Sequence, residues 1–257
     1  MLKNFTIYGE RCSGTNFLEK AIQENFDLKI TWDYDFKHWF GHYKFQNNEK
    51  EDETLFLGII RNPITWIDSF FKNPHHLPLS NKKNIKKFLF NEFCSYDDDD
   101  TNNEIMLDRN IITKKRYKNI FDLRYIKNIY LINVMPKNVK NYLLLRYEDL
   151  YDNYDLILGY IEKKFNLKRK NTDFKKIINY KGKKDGVFVK KNIKLTKKIV
   201  DIIVNNLNKE QEIGLGYIED IECNEDNKDI EHNEDNKDID HIEHNEDNKD
   251  IEHIDEI

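Results

Sequence analysis

The sequence lacks the cysteine patterns and the long apolar runs that mark several classes of protein. Its three cysteines, Cys12, Cys94 and Cys223, lie far apart and match no metal-ligand spacing, so neither a zinc site nor a disulfide framework is expected. The apolar run at the N-terminus is too short for a signal peptide, and no stretch approaches the roughly 20 apolar residues of a membrane span. These absences predict a soluble cytoplasmic protein with no bound metal.

The 257 residues carry a net charge of −5, but the charge is unevenly distributed along the chain. Residues 218–257 contain 18 acidic side chains and three lysines, a net charge of −15. The other 39 basic and 29 acidic side chains give residues 1–217 a net charge of +10. A basic body attracts anionic ligands such as a nucleotide, although lysines that serve only solubility would give the same charge.

The acidic C-terminal segment is repetitive. The sequence NEDNKDI occurs three times, starting at Asn224, Asn233 and Asn245. With few apolar positions and much like charge, residues 218–257 are predicted to form a disordered tail. A solubilising role or the binding of basic partners is expected, and an accident of repeat expansion is the alternative. Weak binding of divalent metal ions is a further alternative, because four histidines lie among the carboxylates: His232, His241, His244 and His253.

Residues 1–217 alternate short β-branched or aromatic runs with longer amphipathic stretches, which is typical of a parallel sheet covered by helices. We therefore predict one α/β domain over residues 1–217, with a central parallel sheet flanked by helices in a P-loop-like nucleotide-binding fold. The predicted strands are residues 5–8, 55–60, 128–134 and 142–146. The predicted helices are residues 16–25, a helix from Pro63, residues 152–165 and residues 195–207. An irregular insertion or lid is predicted at residues 73–103.

The strongest local signal is the sequence YGERCSGTNFL at residues 8–18, between a predicted strand and a predicted helix. Gly9 and Gly14 permit a tight turn whose backbone amides face one concavity, and the following helix N-terminus favours an anion. Thr15 stands where a nucleotide-hydrolysing P-loop requires lysine, which argues against an ATP-dependent kinase. The alternative is a plain strand-to-helix turn capped by Ser13.

A second signal is the sequence RNPITWIDS at residues 61–69. Arg61 at the end of a predicted strand is suited to a charge-assisted, two-pronged contact with a phosphate, and the Ser69 hydroxyl adds a neutral donor. The alternative is structural, with Arg61 ending a strand and Ser69 on an exposed helix face.

Together the two motifs resemble those of sulfotransferases that use 3′-phosphoadenosine 5′-phosphosulfate (PAPS). In that family the first motif, basic-Ser-Gly-Thr-x-aromatic, binds the 5′-phosphosulfate, which implies the donor-binding residues Arg11, Cys12, Ser13, Gly14, Thr15 and Asn16. The arginine and serine of the second motif bind the 3′-phosphate, which implies Arg61 and Ser69. The resemblance covers residues 1–217 and implies PAPS as the donor.

Two further segments are similar to elements of the family. Lys181, Gly182 and Lys183 resemble a basic glycine loop that closes over the 3′-phosphate, although their order departs from the usual Arg-Lys-Gly and a lysine-rich surface turn is the alternative. Residues 145–150, LRYEDL, resemble an element that is mainly structural.

One departure concerns Cys12, where many relatives carry a lysine or arginine that contacts the bridging oxygen and the sulfonate. Arg11 or Lys37 is expected to replace that cation. If neither does so, the protein binds the nucleotide without turnover.

The family often uses a histidine, or sometimes a glutamate, between the two motifs as the base that deprotonates the acceptor. We select His38, which follows Lys37, and keep His42 and then Glu10 as alternatives. The alternative for either histidine is a packed or exposed side chain without a catalytic role.

The resemblance thus implies transfer of a sulfuryl group from PAPS to a hydroxyl or amine acceptor without an obligatory metal. His38 would act as the base, and Arg11 and Lys37 would stabilise the developing charge. The alternatives are a P-loop-type ATP-dependent kinase and an inactive nucleotide-binding module whose tail recruits basic partners. A nucleic-acid ligand ranks last, because the aromatic residues form no known RNA-binding motif and the acidic tail would compete with the ligand.

Overall fold

The chain folds as an α/β structure around a parallel sheet. The computed structural model describes residues 1–97, 103–178 and 193–218. Four strands in this part of the chain form one all-parallel sheet with the order β2-β1-β3-β4. They are β1 (Asn4–Tyr8), β2 (Lys29–Ile30), β3 (Thr54–Ile60) and β4 (Tyr142–Arg146). The predicted α/β class with a central parallel sheet flanked by helices is therefore confirmed.

Helices connect the strands and cover both faces of the sheet. The α-helices are α1 (Thr15–Asn25), α2 (Glu49–Asp52), α3 (Pro63–Lys72), α4 (Leu79–Lys82), α5 (Ile85–Phe90), α6 (Ile120–Ile129), α7 (Met135–Asn138), α8 (Tyr147–Asp152), α9 (Tyr154–Phe165), α10 (Lys197–Asn206) and α11 (Lys209–Gly214). A 3-10 helix spans Met106–Asp108, and a π-helix spans Tyr130–Val134 between α6 and α7.

The sheet is buried on both faces because successive side chains of a strand point to opposite sides. In β3, Leu55 and Leu57 pack with α1, α8 and α9 in one core. Phe56 and Ile60 pack in a second core, which also contains Leu131 from the π-helix. The two central strands, β1 and β3, are therefore buried along nearly their whole length.

The strand order brings two loops together at the carboxyl edge of the sheet. The chain leaves β1 for β2 on one side, whereas β3 pairs with β1 on the other side. The register places Tyr8, the last residue of β1, beside Gly58 of β3. In parallel sheets, ligands bind in the crevice where the strand order changes direction in this way. The loops after β1 and β3, which carry the two sequence motifs, both open at this point.

Three of the four predicted strands are confirmed, and the fourth is wrong. Residues 128–134 form the end of α6 and the π-helix. The buried side chains here recur at helical spacing, at Leu123, Lys127, Tyr130 and Leu131. A short β-branched run does not by itself distinguish a strand from a buried helix.

The predicted helices are confirmed with small changes of boundary; the helix predicted at residues 152–165 is α9, which begins at Tyr154. The insertion at residues 73–103 is not wholly irregular, since it contains α4 and α5. Lys181, Gly182, Lys183 and the predicted tail beyond residue 218 lie outside the described residues. No helix in the described part of the chain has the length and apolar character needed to cross a membrane.

Candidate functional site

The loop between β1 and α1 forms one side of the candidate site. Its turn is closed by Ser13, whose amide and hydroxyl both donate to the Glu10 carbonyl, at 3.1 and 2.6 Å. Ser13 therefore does not cap α1, which starts with no side-chain cap. The first amides of α1, at Thr15 and Asn16, have no partner within the helix, as at any helix start. Together with the helix dipole they offer donors to an anion.

Both glycines of the loop are required by their surroundings. A Cβ at Gly9 would lie 2.6 Å from the Ile59 carbonyl oxygen. A Cβ at Gly14 would lie 2.3 Å from a ring carbon of Tyr147, and the φ of Gly14 is 100°. The loop thus passes closely between β3 and α8, and its backbone is held at the carboxyl edge.

Arg61 lies at the end of β3 and faces this loop. Its Nη1 donates to the Cys12 carbonyl at 3.0 Å and its Nε donates to the Thr65 hydroxyl at 3.1 Å. The guanidinium also stacks on Tyr147, 4.9 Å from the ring centroid. No carboxylate of the described residues forms an ion pair with Arg61.

Ser69 lies on α3 on the same side as Arg61. Asn62 caps this helix by accepting from the amides of Ile64 and Thr65, and Pro63 occupies its first turn. Thr65, which bonds to Arg61, precedes Ser69 by four residues, so the two share one face of the helix. The local sequence therefore aligns Arg61 and Ser69 along one surface.

Lys37 and His38 flank the loop from the other side. The Gly9 amide donates to the Lys37 carbonyl at 3.0 Å, and His38 Nδ1 lies 2.7 Å from the Gly9 carbonyl oxygen. A carbonyl only accepts, so Nδ1 carries the proton and Nε2 keeps its lone pair. Lys37 Nζ donates to the Asn16 side chain at 2.7 Å.

Burial lowers the pKa of His38 to about 3, against a smaller opposing effect of the Glu10 charge. The ring is therefore neutral near pH 7, which leaves Nε2 able to accept a proton. An anion placed beside it would raise this pKa, since negative charge favours the imidazolium form.

Arg11 does not face the loop concavity, and its guanidinium lies in the interior, 1% exposed. It donates to Glu10 at 2.6 Å, to the Ser95 hydroxyl at 2.6 Å and to Asp108 at 2.9 Å. The rings of Phe70 and Phe93 lie 5.0 and 5.2 Å from it. The cation that the structure brings to Cys12 is Arg61, through the Cys12 carbonyl.

A buried charge cluster, defined by Glu10, Arg11, Asp108 and Lys127, lies on the interior side of the loop. Lys127 Nζ donates to Glu10, to Asp108 and to the His38 carbonyl, each at 2.6 Å. Two acids and two bases thus neutralise each other, and Lys127 ties the loop to the His38 segment. The sequence reasoning missed Lys127 and Asp108, because nothing local links them to Glu10, which is 117 residues from Lys127.

The alternative bases occupy different surroundings. Burial alone would raise the pKa of Glu10, but the neighbouring charges of Arg11 and Lys127 outweigh it and hold that pKa well below its usual range. Glu10 is thus a weak base that is already fully hydrogen-bonded. Burial also lowers the pKa of His42, whose Nε2 is buried without a hydrogen-bond partner among the described residues.

Cys12 lies at the turn of the loop with a φ of 62°, partly exposed. Its Sγ lies 4.0 Å from the Asn73 carbonyl oxygen at the end of α3. The start of the insertion therefore borders the loop.

Two cavities lie in this part of the fold. The larger, a cleft of about 390 Å³ between α1 and the α8–α9 segment, contains none of the site residues described above and is lined by Phe17, Tyr151, Asp152, Asn153, Tyr154, Asp155, Leu156, Lys176 and Ile177. A cavity of about 20 Å³, enough for one water, lies behind Arg61 and is bordered by Glu10, Ser13 and Lys127. Within residues 1–97, 103–178 and 193–218 there is no group of three or more potential metal ligands.

The structure thus brings together the backbone of residues 9–16 with Lys37, His38, Arg61 and Ser69 around one crevice, and the Arg11 side chain points away from it. Comparison with family models, with curated proteins and with solved structures finds no match for this chain.

Proposed function

We propose that this protein binds PAPS and transfers its sulfuryl group to a hydroxyl or amine acceptor. The observation that carries the proposal is Arg61, a cation without a carboxylate partner among the described residues, held against the backbone of a glycine loop at a helix start. Such a pair of anion-binding elements suits a ligand with two separate anionic groups.

In this proposal the 5′-phosphosulfate lies against the first amides of α1, at Thr15 and Asn16. The 3′-phosphate lies on Arg61 and Ser69. The proposed binding is charge-assisted at both anionic ends.

The proposed reaction is an in-line transfer. His38 Nε2 takes the proton of the acceptor, whose oxygen or nitrogen forms a bond to sulfur as the bond from sulfur to the bridging oxygen breaks. The sulfated acceptor and 3′,5′-ADP are the products. Lys37, fixed by Asn16 at 2.7 Å, and the amides of α1 supply positive charge to the transferred group and the departing phosphate.

A nucleotide-binding module without turnover is the second candidate. It is favoured by the placement of Arg11, whose guanidinium donates to Glu10, Ser95 and Asp108 in the interior. It is also favoured by the low pKa of His38, which makes the ring a weak base before a ligand binds.

The test is thermal unfolding of the full chain with 3′,5′-ADP, 5′-AMP or magnesium ATP. A ligand that binds only the folded state raises Tm by mass action. We expect 3′,5′-ADP to raise Tm, 5′-AMP to have little effect, and Arg61→Ala to abolish the shift. Arg169→Ala is the matched control, since Arg169 also stacks on a ring, at 3.9 Å from Phe174, but its backbone bridges to Phe26 just beyond the far end of α1.

Stabilisation by magnesium ATP alone would instead support the kinase, and stabilisation by none of the three would contradict both nucleotide-binding proposals. If 3′,5′-ADP binds, incubation with PAPS carrying labelled sulfur separates transfer to an acceptor from binding alone.

A further inference from the structure

A row of aromatic rings runs along the carboxyl edge of the sheet beside His38. Trp32, two residues after β2, lies 5.6 Å from Phe36, Phe36 lies 4.8 Å from Trp39, and Trp39 lies 5.5 Å from His76, all measured between ring centroids. These four residues are called the aromatic strip. The strip joins the end of β2 to the insertion that follows α3.

The strip is open to solvent at one end. Trp32 is 38% exposed and Phe36 is 37% exposed, although both rings are large and apolar. Contiguous exposed rings of this kind mark binding surfaces more often than isolated exposed side chains do. The strip therefore has apolar ring area available to a ligand.

Polar and charged groups surround these rings. Lys37 Nζ lies 5.6 Å from the Trp32 centroid and 5.9 Å from the Phe36 centroid. Asp33, next to Trp32, pairs with Lys50 at 3.0 Å. The Trp39 Nε1 donor is buried without a hydrogen-bond partner among the described residues. The exposed rings thus lie beside Lys37, which also pairs with Glu19 at 3.4 Å, and beside the Asp33–Lys50 ion pair.

The strip touches the proposed base. The His38 ring lies 5.6 Å from Phe36 with an interplanar angle of 85°. His38 is also fixed to Gly9 on the loop. A molecule resting on Phe36 and Trp32 would therefore lie beside the imidazole, on the side of the loop where Lys37 contacts Asn16.

We propose that the aromatic strip is the acceptor site and that the acceptor is a carbohydrate. This inference rests on the proposed function, because the bound carbohydrate is an acceptor only if the protein transfers a sulfuryl group to one of its hydroxyls. A pyranose ring has an apolar face of C–H groups that packs on an aromatic ring, and an edge of hydroxyls that pairs with polar side chains. Trp32 and Phe36 match the face, and Lys37 with its polar neighbours matches the edge.

An open ring surface favours a sugar over a small aromatic alcohol. A phenol bound on Trp32 would bury one face only and would leave its other apolar face in water, whereas small apolar ligands bind where most of their surface is enclosed. A sugar keeps its remaining hydroxyls in water without loss. One of its hydroxyls, directed at His38 Nε2, would be the nucleophile.

The test is calorimetric titration of the full-length protein with neutral hexasaccharides of glucan, chitin and galactan type, and with p-nitrophenol. We expect saturable binding of at least one hexasaccharide, weakened about tenfold in Trp32→Ala and in Phe36→Ala. Phe90→Ala is the matched control, because Phe90 is 41% exposed and lies outside the strip. Its affinity should equal that of the wild type.

Two readouts separate this inference from the proposed function. The Tm shift with 3′,5′-ADP should be unchanged in Trp32→Ala, which also shows that the variant is folded. With labelled PAPS, the bound hexasaccharide should become sulfated. Trp32→Ala should raise the KM for the hexasaccharide about tenfold with little change in kcat.

If hexasaccharides bind in a manner that depends on Trp32 but 3′,5′-ADP does not raise Tm, the carbohydrate site would be supported and the sulfotransferase proposal would be overturned. Stabilisation by 3′,5′-ADP without saturable binding of any hexasaccharide would overturn the carbohydrate site alone. Binding of p-nitrophenol that is lost in Trp32→Ala, without hexasaccharide binding, would overturn it as well.

Discussion

Replacement of Lys127 by methionine tests whether the buried charge cluster holds the loop in place. Lys127 is 2% exposed and donates to Glu10 and Asp108, so Lys127→Met leaves two buried carboxylates with Arg11 as their only cation in the cluster. Removal of one partner from a buried ion pair costs about 3–5 kcal/mol. This is a large part of the 5–15 kcal/mol that stabilises a typical domain.

Urea unfolding of the full chain measures this cost. With an m-value of about 2 kcal/mol/M, a loss of about 4 kcal/mol lowers the unfolding midpoint by about 2 M. Lys175→Met is the matched control, because Lys175 pairs with Glu24 at the same distance of 2.6 Å but 60% exposed. Exposed pairs contribute about 0–1 kcal/mol, so the control should unfold close to the wild type.

The pH dependence of the Lys127→Met defect identifies its cause. The pKa of Glu10 is lowered in the folded wild type, so this group stabilises the fold above its unfolded pKa, and the stabilisation is lost as the pH falls toward the folded value. Without Lys127, Glu10 protonates more readily, so the difference in stability between variant and wild type should shrink below about pH 4.5. A defect under 1 kcal/mol, or one that is the same at pH 7 and pH 4, would refute this account of the cluster.

Two further predictions concern the loop and the base. Gly14→Ala should destabilise the fold by about 1–3 kcal/mol in urea unfolding, because of the positive φ of Gly14 and the clash with Tyr147. Gly214→Ala is the control and should not destabilise the fold, since nothing lies within 4 Å of the new Cβ. Equal effects of the two substitutions would contradict the proposed packing. In the folded state His38 has a pKa of about 3, whereas an unfolded histidine has a pKa of about 6.5. Between these two values the unfolded chain binds more protons than the folded protein, so the stability of the wild type should fall as the pH drops from about 6.5 toward 3. His38→Gln should reduce that slope between pH 6.5 and 5, and an unchanged slope would show that His38 is not the buried neutral group described above.

Much of the frame of the site was predictable from local sequence. The buried runs of β1 and β3 are continuous because both sheet faces are covered, and Asn62 and Pro63 have local roles at the start of α3. These features placed the glycine loop and Arg61 after neighbouring strands. The positions of both motifs at the carboxyl edge follow from the parallel pairing.

The remainder depends on contacts between residues that are distant in the chain. Arg11 looked available to a ligand because its neighbours form the loop, but Ser95 and Asp108 hold it inside. Lys127 directly precedes residues 128–134, which were wrongly predicted as a strand, and it lies in α6. Local periodicity carries no information about which charges meet across the fold, so these pairings could not be derived from the sequence.

The pairing of β1 with β3 fixes the distance between the glycine loop and Arg61. Five consecutive residue pairs, from Asn4 with Thr54 to Tyr8 with Gly58, join the strand that leads into the glycine loop to the strand that leads into Arg61. Neighbouring strands are held about 4.8 Å apart by their hydrogen bonds, so no hinge separates the two anion-binding elements. In the proposed binding, this fixed spacing would favour a ligand whose two anionic groups match it, whereas a molecule with one anionic group would contact only one of the two elements.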